Sequence, residues 1–106
     1  MKLLLDESVP KRLTRSFPEH IQTVQQNGWS STKNGALPKP AAENGFDAML
    51  TADKGFEFQH NLDTLPLPVL IVRGYRTRLN DLLPAVPRIV SILEGDVQSQ
   101  VYRVDA

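Results

Sequence analysis

The sequence has no cysteine, no long apolar run and no net charge, and each absence excludes a class of protein. Without cysteine there is no disulfide, no thiolate metal site and no cysteine nucleophile. A disulfide-stabilised secreted protein is therefore excluded, and we expect a cytoplasmic protein. The apolar runs are too short to span a bilayer, and the run Leu3–Leu5 is too short for the core of a signal peptide, so no membrane partner is expected.

The balance of charge hides an uneven distribution. Twelve Lys and Arg side chains stand against twelve Asp and Glu, which argues against a protein that coats phosphates over its whole surface. Residues 11–39 and 71–93 are nevertheless basic, whereas residues 43–63 are acidic. An acidic centre between basic segments suits a metal-assisted phosphate site, although an ordinary mixed surface has the same composition.

The chain length of 106 residues predicts a single domain over residues 1–106. Short apolar runs predict five strands: Lys2–Leu5, Ile21–Val24, Phe46–Thr51, Val69–Val72 and Val97–Val104. Helical patterns lie between them: Pro10–Phe17, a segment after Leu37, Phe56–Leu62, and Leu79–Leu93 with a break near Pro84. This alternation predicts an α/β fold, a three-layer sandwich with a mainly parallel central sheet.

Acidic residues follow two of the predicted strands. Asp6 and Glu7 come directly after the first strand, and Asp53 follows the third. The carboxyl ends of parallel strands share one edge of the sheet, where ligands bind. Converging carboxylates repel one another, and Mg²⁺ or Mn²⁺ relieves that repulsion and activates water. Asp47 begins its strand, so it is expected at the opposite edge.

A structural interpretation of the same acids stays open. Aspartate and serine are common helix caps, so Ser8 is expected to cap the first helix and Asp53 fits a cap of the helix that begins near Phe56. Either acid alone is explained equally well in this way. The coincidence of both at equivalent strand ends favours a functional site.

Two segments resemble a known family. Met1–Pro10 (MKLLLDESVP) and Phe46–Phe56 (FDAMLTADKGF) are similar to the PIN-like proteins of a bacterial family of unknown function. Those proteins open with a strand ending in Leu-Asp-Glu-Asn-Leu-Pro and carry a later Leu-Thr-x-Asp. The loop Gly28–Gly35 and the segment Phe58–Leu62 resemble one subgroup, and the likeness extends to about Leu93.

The resemblance implies a PIN-type sheet with strand order 3-2-1-4-5 and an acidic Mg²⁺ or Mn²⁺ site. It implies ribonuclease activity of the toxin–antitoxin kind, with RNA as substrate and an antitoxin protein as partner. By position, Asp6 and Asp53 become catalytic metal ligands with Glu7 beside the first. Arg76 matches an arginine that follows the fourth strand in relatives.

One position departs from the family pattern. Relatives usually carry a glutamate at the head of the helix after Asn-Gly, where this chain has Ala36. Glu43 lies about 10 Å further along the helix and does not replace it. With fewer acids, metal affinity is expected to fall, which describes either a weakened nuclease or an inactive module that binds RNA or protein.

Further candidates for substrate binding are cationic or aromatic. Arg73 and Arg76 follow the most apolar strand, and guanidinium groups suit phosphate. Trp29 lies in a polar loop with Lys33; it either stacks on a base or folds back over the sheet. The apolar stripe of the last helix belongs to the core or in part to a homodimer face.

A third class also places acids after strands one and three: the phosphorylated signalling receivers. Such domains need a hydroxyl residue after the fourth strand and a lysine after the fifth. Here Val72-Arg73-Gly74 follows the fourth strand, and no lysine occurs after Lys54. The residue types therefore disfavour this class.

Overall fold

A computed structural model describes residues 2–17, 20–30, 36–56, 64–74 and 76–106. The strands are β1 (Lys2–Leu5), β2 (His20–Thr23), β3 (Ala48–Thr51), β4 (Val69–Arg73) and β5 (Val101–Asp105). The α-helices are α1 (Pro38–Glu43), α2 (Leu79–Leu82) and α3 (Val86–Glu94), and 3-10 helices span Lys11–Ser16 and Leu83–Ala85. The helix expected over Phe56–Leu62 lies, beyond Phe56, outside the described residues.

Proline sets the helix boundaries much as the sequence predicts. Pro38 and Pro87 stand in the first turns of α1 and α3, where a missing N–H costs nothing. The apolar stripe from Leu79 to Leu93 is interrupted at Leu83–Ala85, around Pro84, so the predicted break is confirmed. The first helix, expected over Pro10–Phe17, is a 3-10 helix instead of an α-helix.

The five strands form one sheet in which every pairing is parallel, in the order β2-β1-β3-β4-β5. The α/β class with a parallel sheet is confirmed. The expected order 3-2-1-4-5 is wrong for β3, which lies between β1 and β4. All four residues of β3 are buried, and such a strand gains most where both of its edges are paired.

Apolar side chains pack on both faces of this sheet. Alternate residues of β1 point to opposite faces: Leu3 and Leu5 join one buried cluster, and Leu4 joins the other. The 3-10 helix Lys11–Ser16, α2 and α3 contribute to the first cluster, whereas α1, Phe46 and Phe56 contribute to the second. Both clusters hold the strand ends of β1 and β3 in fixed positions.

The chain enters β3 through a tight turn. Helix α1 ends at Asn44, and Gly45 adopts a φ of 82°, a left-handed conformation that glycine tolerates best. Phe46 and Asp47 then precede the strand, so Asp47 lies at the amino edge, as predicted. There Asp47 Oδ2 accepts a hydrogen bond from the Lys2 N–H at 2.7 Å.

Within the described ranges, no helix is both long and apolar enough to cross a membrane.

Candidate functional site

Asp6 lies at the carboxyl end of β1, beside the end of β3. Its backbone N–H donates to the carbonyl of Leu50 at 3.2 Å, which extends the β1–β3 ladder by one residue. The side chain is 1% exposed, although the residue stands at the edge of the sheet. In this strand order β2 lies on one side of β1 and β3 on the other, so the topological switch point falls between β1 and β3. Open α/β sheets form their ligand crevice at such a point.

Three donors hold the Asp6 carboxylate. Oδ1 accepts the backbone N–H of Ser8 at 3.0 Å and the hydroxyl of Ser8 at 2.5 Å. Oδ2 accepts the hydroxyl of Thr51 at 2.5 Å. Because Thr51 is the last residue of β3 and is 0% exposed, this bond ties the ends of two adjacent strands together inside the protein.

Ser8 has a different role from the one expected. The 3-10 helix Lys11–Ser16 has no side-chain cap, so Ser8 does not cap it. Its hydroxyl donates to Asp6 and accepts the backbone N–H of Ala52 at 2.9 Å. Ser8 therefore links the turn after β1 to the segment that leads to Asp53.

Asp53 is positioned by the same hydroxyl network. Its backbone N–H donates to Thr51 Oγ1 at 3.1 Å, and its Oδ1 accepts the N–H of Gly55 at 2.8 Å. Phe56, fully buried, donates its N–H to the Asp53 carbonyl and anchors the turn in the core. The bond from Gly55 closes an aspartate turn, whereas the helix that Asp53 was expected to cap lies, beyond Phe56, outside the described residues.

The two aspartates influence each other electrostatically. Burial raises the pKa of Asp6, and the hydrogen bonds from Ser8 and Thr51 offset part of that rise. The negative charge of Asp53 raises the pKa of Asp6 further. The structure thus brings Asp6 and Asp53 close enough to interact, as predicted. A cation bound beside them would offset both the cost of burying the ionised Asp6 carboxylate and its repulsion from Asp53.

The donor set fits Mg²⁺ or Mn²⁺ through two carboxylates. Oδ1 of Asp6 already accepts two hydrogen bonds, whereas Oδ2 accepts only the Thr51 hydroxyl among the described contacts and keeps one lone pair. Mg²⁺ is commonly held by one or two carboxylates together with water and substrate phosphate. Among the residues that the structure describes, no group of three or more His, Cys, Asp or Glu side chains is arranged to hold a metal ion.

Two further positions considered for the site, Glu7 and Ala36, lie outside this hydrogen-bond network. Glu7 is exposed in the turn between Asp6 and Ser8. Ala36 is exposed just before the buried Leu37. Helix α1 then separates Ala36 from the start of β3.

The cationic and aromatic candidates divide between the two edges. Arg73 ends β4 and forms an ion pair with Asp105 on β5, with Nε and Oδ1 2.8 Å apart. Arg76 is exposed in the segment that follows. Trp29 is half-buried and meets Phe46 edge-to-face with 6.0 Å between ring centroids, so its ring covers the sheet instead of reaching Asp6. Lys33 lies outside the described residues.

A basic groove was not predicted as a site, although its residues belong to the basic segments of the sequence. One cleft of about 340 Å³ is lined by Arg12, Arg78, Leu79 and Asn80. A second, of about 270 Å³, is lined by Lys11, Arg12, Thr14, Arg15, Ile21, Thr23 and Gln26. Both include Arg12, and we call the two together the basic groove.

The ends of β4 and β5 bear on the receiver alternative. A receiver would need a hydroxyl residue after β4 and a lysine after β5. These ends carry Arg73 and Asp105, which pair with each other. Neither of these two residues is of the type that a receiver needs there.

No family model matches the chain, and neither a curated protein nor a solved structure shows a significant match to it. The likeness to PIN-like proteins therefore rests on the motifs around Asp6 and Asp53.

Proposed function

We propose that the protein is a metal-dependent ribonuclease of PIN-like type, with a three-layer sandwich fold, that hydrolyses phosphodiester bonds in RNA. The observation that supports this best is the pairing of Asp6 with Asp53 at the ends of adjacent strands, joined through the hydroxyl of Thr51. Burying a carboxylate is costly, and a purely structural link between two strands does not require a charge. The charge has a use if it binds a cation.

Asp6 and Asp53 would hold Mg²⁺ or Mn²⁺, with Glu7 exposed beside them. The bound cation supplies activation of water and neutralises charge that builds up on the phosphate. Ser8 and Thr51 fix the rotamer of Asp6 by binding both of its oxygens, so that little reorganisation is needed when a ligand arrives. Toxin–antitoxin pairing and a homodimer belong to the same proposal.

The decisive experiment measures Mn²⁺-dependent cleavage of single-stranded RNA by wild type, Asp6→Asn, Asp53→Asn and Asp47→Asn. Asp47 is the matched control, because it is an acid beside the same strand pair at the other edge, and asparagine keeps an oxygen for the Lys2 N–H. We expect Asp6→Asn and Asp53→Asn to lose activity by more than about 100-fold, since even the partners of metal ligands matter about 10- to 100-fold.

Wild-type activity in all four proteins would show that a contaminating nuclease cuts the RNA. Absence of cleavage by the wild type with either cation, in protein that is folded, would overturn the proposal.

A second candidate is a non-catalytic module that binds RNA or a partner protein. It is favoured by the three hydrogen bonds that Asp6 accepts within the fold, since these give the carboxylate a structural use, and by Ala36 in place of the family's glutamate. Calorimetry with Mn²⁺ separates the two. Binding that Asp53→Asn abolishes counts against the non-catalytic module, whereas RNA binding without Mn²⁺ uptake supports it.

A further inference from the structure

We propose that the basic groove binds the sugar–phosphate backbone of single-stranded RNA, to one side of the Asp6–Asp53 site. The choice of RNA as the polyanion rests on the proposed function. The residues that line the groove are different from those of the Asp6–Asp53 site. RNA binding by the groove and cleavage at the site can therefore be tested separately.

The charge of the groove is one-sided. Four cationic side chains line it, namely Lys11, Arg12, Arg15 and Arg78, and no carboxylate lines either cleft within the described residues. Lys11, Arg12 and Arg15 form no ion pair with any described residue. Arg78 pairs with Asp81 at 3.3 Å but keeps 69% of its side chain exposed. All four side chains are thus exposed, and among the described residues only Arg78 has an ion-pair partner.

The shape of the groove suits a chain. The two clefts lie close to the lower limit of about 300 Å³ for sites that bury a small molecule, and their lining is mostly charged or polar, so neither is suited to enclose a compact apolar ligand. Arg12 lines both clefts, so they lie side by side along one path past its side chain. An extended polyanion makes successive contacts along such a path, as single-stranded nucleic acids do in positively charged grooves.

The position of the groove connects it to the candidate site. Lys11 follows Asp6 by five residues, and the intervening segment folds back through tight turns, with Val9 N–H bonded to the Asp6 carbonyl. Arg78 lies on the segment that leaves β4 at the carboxyl edge, and Thr23 ends β2 at that edge. Arg12 is therefore within about 20 Å of Asp6, a distance that a few nucleotides span.

An acidic protein segment is the other occupant with suitable charge. Such segments usually anchor through apolar side chains in pockets, and the basic groove offers only Ile21 and Leu79 as apolar lining. The uncharged polar side chains Thr14, Thr23, Gln26 and Asn80 complete the lining, which suits phosphate and ribose oxygens. The composition therefore favours a nucleic-acid backbone.

The test measures binding of a labelled single-stranded RNA of about 12 nucleotides, within the usual site sizes of such proteins. Titrations are done in EDTA, so that no cleavage occurs, at several salt concentrations. The variants are Lys11→Gln, Arg12→Gln and the triple Lys11→Gln/Arg12→Gln/Arg15→Gln. Lys39→Gln is the matched control, because Lys39 is an exposed lysine on α1, away from the groove.

Four phosphate contacts on a single strand predict a slope of about −2.8 for the logarithm of affinity against the logarithm of salt concentration. We expect Arg12→Gln and Lys11→Gln each to flatten the slope by about 0.7, and the triple variant by about 2. Lys39→Gln is expected to leave it unchanged. All these side chains are exposed, so the variants are expected to fold normally, which circular dichroism checks.

Equal slopes for the wild type and the triple variant would overturn the proposal, and so would tighter binding of a polyglutamate peptide of equal charge. RNA binding that depends on the groove, without any Mn²⁺-dependent cleavage, would leave this inference standing and refute the nuclease. Cleavage that depends on Asp6, together with a salt slope that the groove variants do not change, would support the nuclease and refute RNA binding by the basic groove.

Discussion

Each of the two edges of the sheet carries an aspartate beside the β1–β3 pair. One of these side chains is exposed to solvent and the other is buried. At the amino edge, Asp47 is exposed and accepts one backbone N–H, from Lys2. At the carboxyl edge, Asp6 is 1% exposed and accepts three hydrogen bonds. The comparison shows that residue type and strand pairing do not define a site. Burial and the neighbouring hydroxyls separate a candidate ligand from a surface acid.

The largest effect on this comparison is expected from Thr51→Val. Valine removes the hydroxyl that donates to Asp6 and accepts the Asp53 N–H, and it leaves both groups without that partner in the interior. We expect a loss of about 2 kcal/mol in the free energy of unfolding, measured by urea denaturation. Asp47→Ala, at the exposed edge, is expected to cost about 0.5 kcal/mol.

Thr51→Ser is the control for this prediction. It keeps the hydroxyl and loses one methyl group, at a cost of about 1 kcal/mol. Equal destabilisation by Thr51→Val and Asp47→Ala would mean that the hydroxyl network adds nothing to the carboxyl edge.

A smaller effect is expected from Mn²⁺. If Asp6 and Asp53 bind the cation only in the folded protein, Mn²⁺ at ten times its Kd stabilises the wild type by about 1.4 kcal/mol. Asp47→Asn is expected to retain this gain, and Asp6→Asn and Asp53→Asn to lose it, in thermal unfolding with and without Mn²⁺. The gain is expected to shrink as the pH falls, because the ligand oxygens must be ionised. An unchanged gain in Asp6→Asn would place the cation elsewhere.

The metal-free protein should also show the cost of the buried charge. The pKa of Asp6 is raised above its ordinary 3.8, so ionised Asp6 destabilises the folded state at pH 7, and that cost disappears as the pH falls through the folded-state pKa. We expect the wild type to gain Tm relative to Asp6→Asn as the pH falls from 7 toward 3.8. The hydrogen bonds from Ser8 and Thr51 keep this effect moderate. A wild type that loses Tm relative to Asp6→Asn as the pH falls would contradict the sign of the shift.

The smallest effect is expected at the amino edge, from Lys2→Met. The Lys2 ammonium lies 4.2 Å from the centroid of the Phe46 ring and donates to the Asn44 carbonyl. Methionine keeps the apolar stem and loses both interactions, so we expect a cost of about 0.5 to 1 kcal/mol by urea denaturation. RNA cleavage is expected to be unaffected. A change in cleavage comparable to that of Asp6→Asn would erase the functional distinction between the edges.

The sequence predicts the elements of this fold better than it predicts their arrangement. Short apolar runs bounded by Asp6, Asp53 and Pro68 identify β1, β3 and β4, because a fully buried parallel strand needs such a run. The order of the strands depends on which of them tolerate the edge position of the sheet, where one side of the strand has no partner strand. The pattern of a single run does not contain that information. The expected order 3-2-1-4-5 came from the family resemblance instead, and it is wrong for β3.

The candidate site was predictable in part for a similar reason. Acids after parallel strands lie at the same edge of the sheet whatever the order, so the edge that carries Asp6 and Asp53 follows from the sequence. Their closeness depends on the pairing of β3 with β1, which the expected order lacked. A serine in a loop has many partners available, and only the folded chain brings Ser8 to Asp6 and Ala52. The pairing of Arg73 with Asp105 depends on β5 reaching Asp105, one residue beyond the predicted end at Val104. The basic groove depends on how α2 packs beside the 3-10 helix Lys11–Ser16.

The parallel sheet also has a kinetic consequence. Lys2 pairs with His20, Leu3 with Ala48, and Val69 with Val101, so no ladder in the sheet can start from a hairpin. Each pairing requires a long loop to close before any contact rewards it, and refolding is expected in milliseconds to seconds, slow for a chain of this size. The Asp6–Thr51 contact spans 45 residues and forms only when β1 finds β3. The two aspartates therefore come together when β1 pairs with β3. Partly folded chains in which this pairing has not formed do not carry the site.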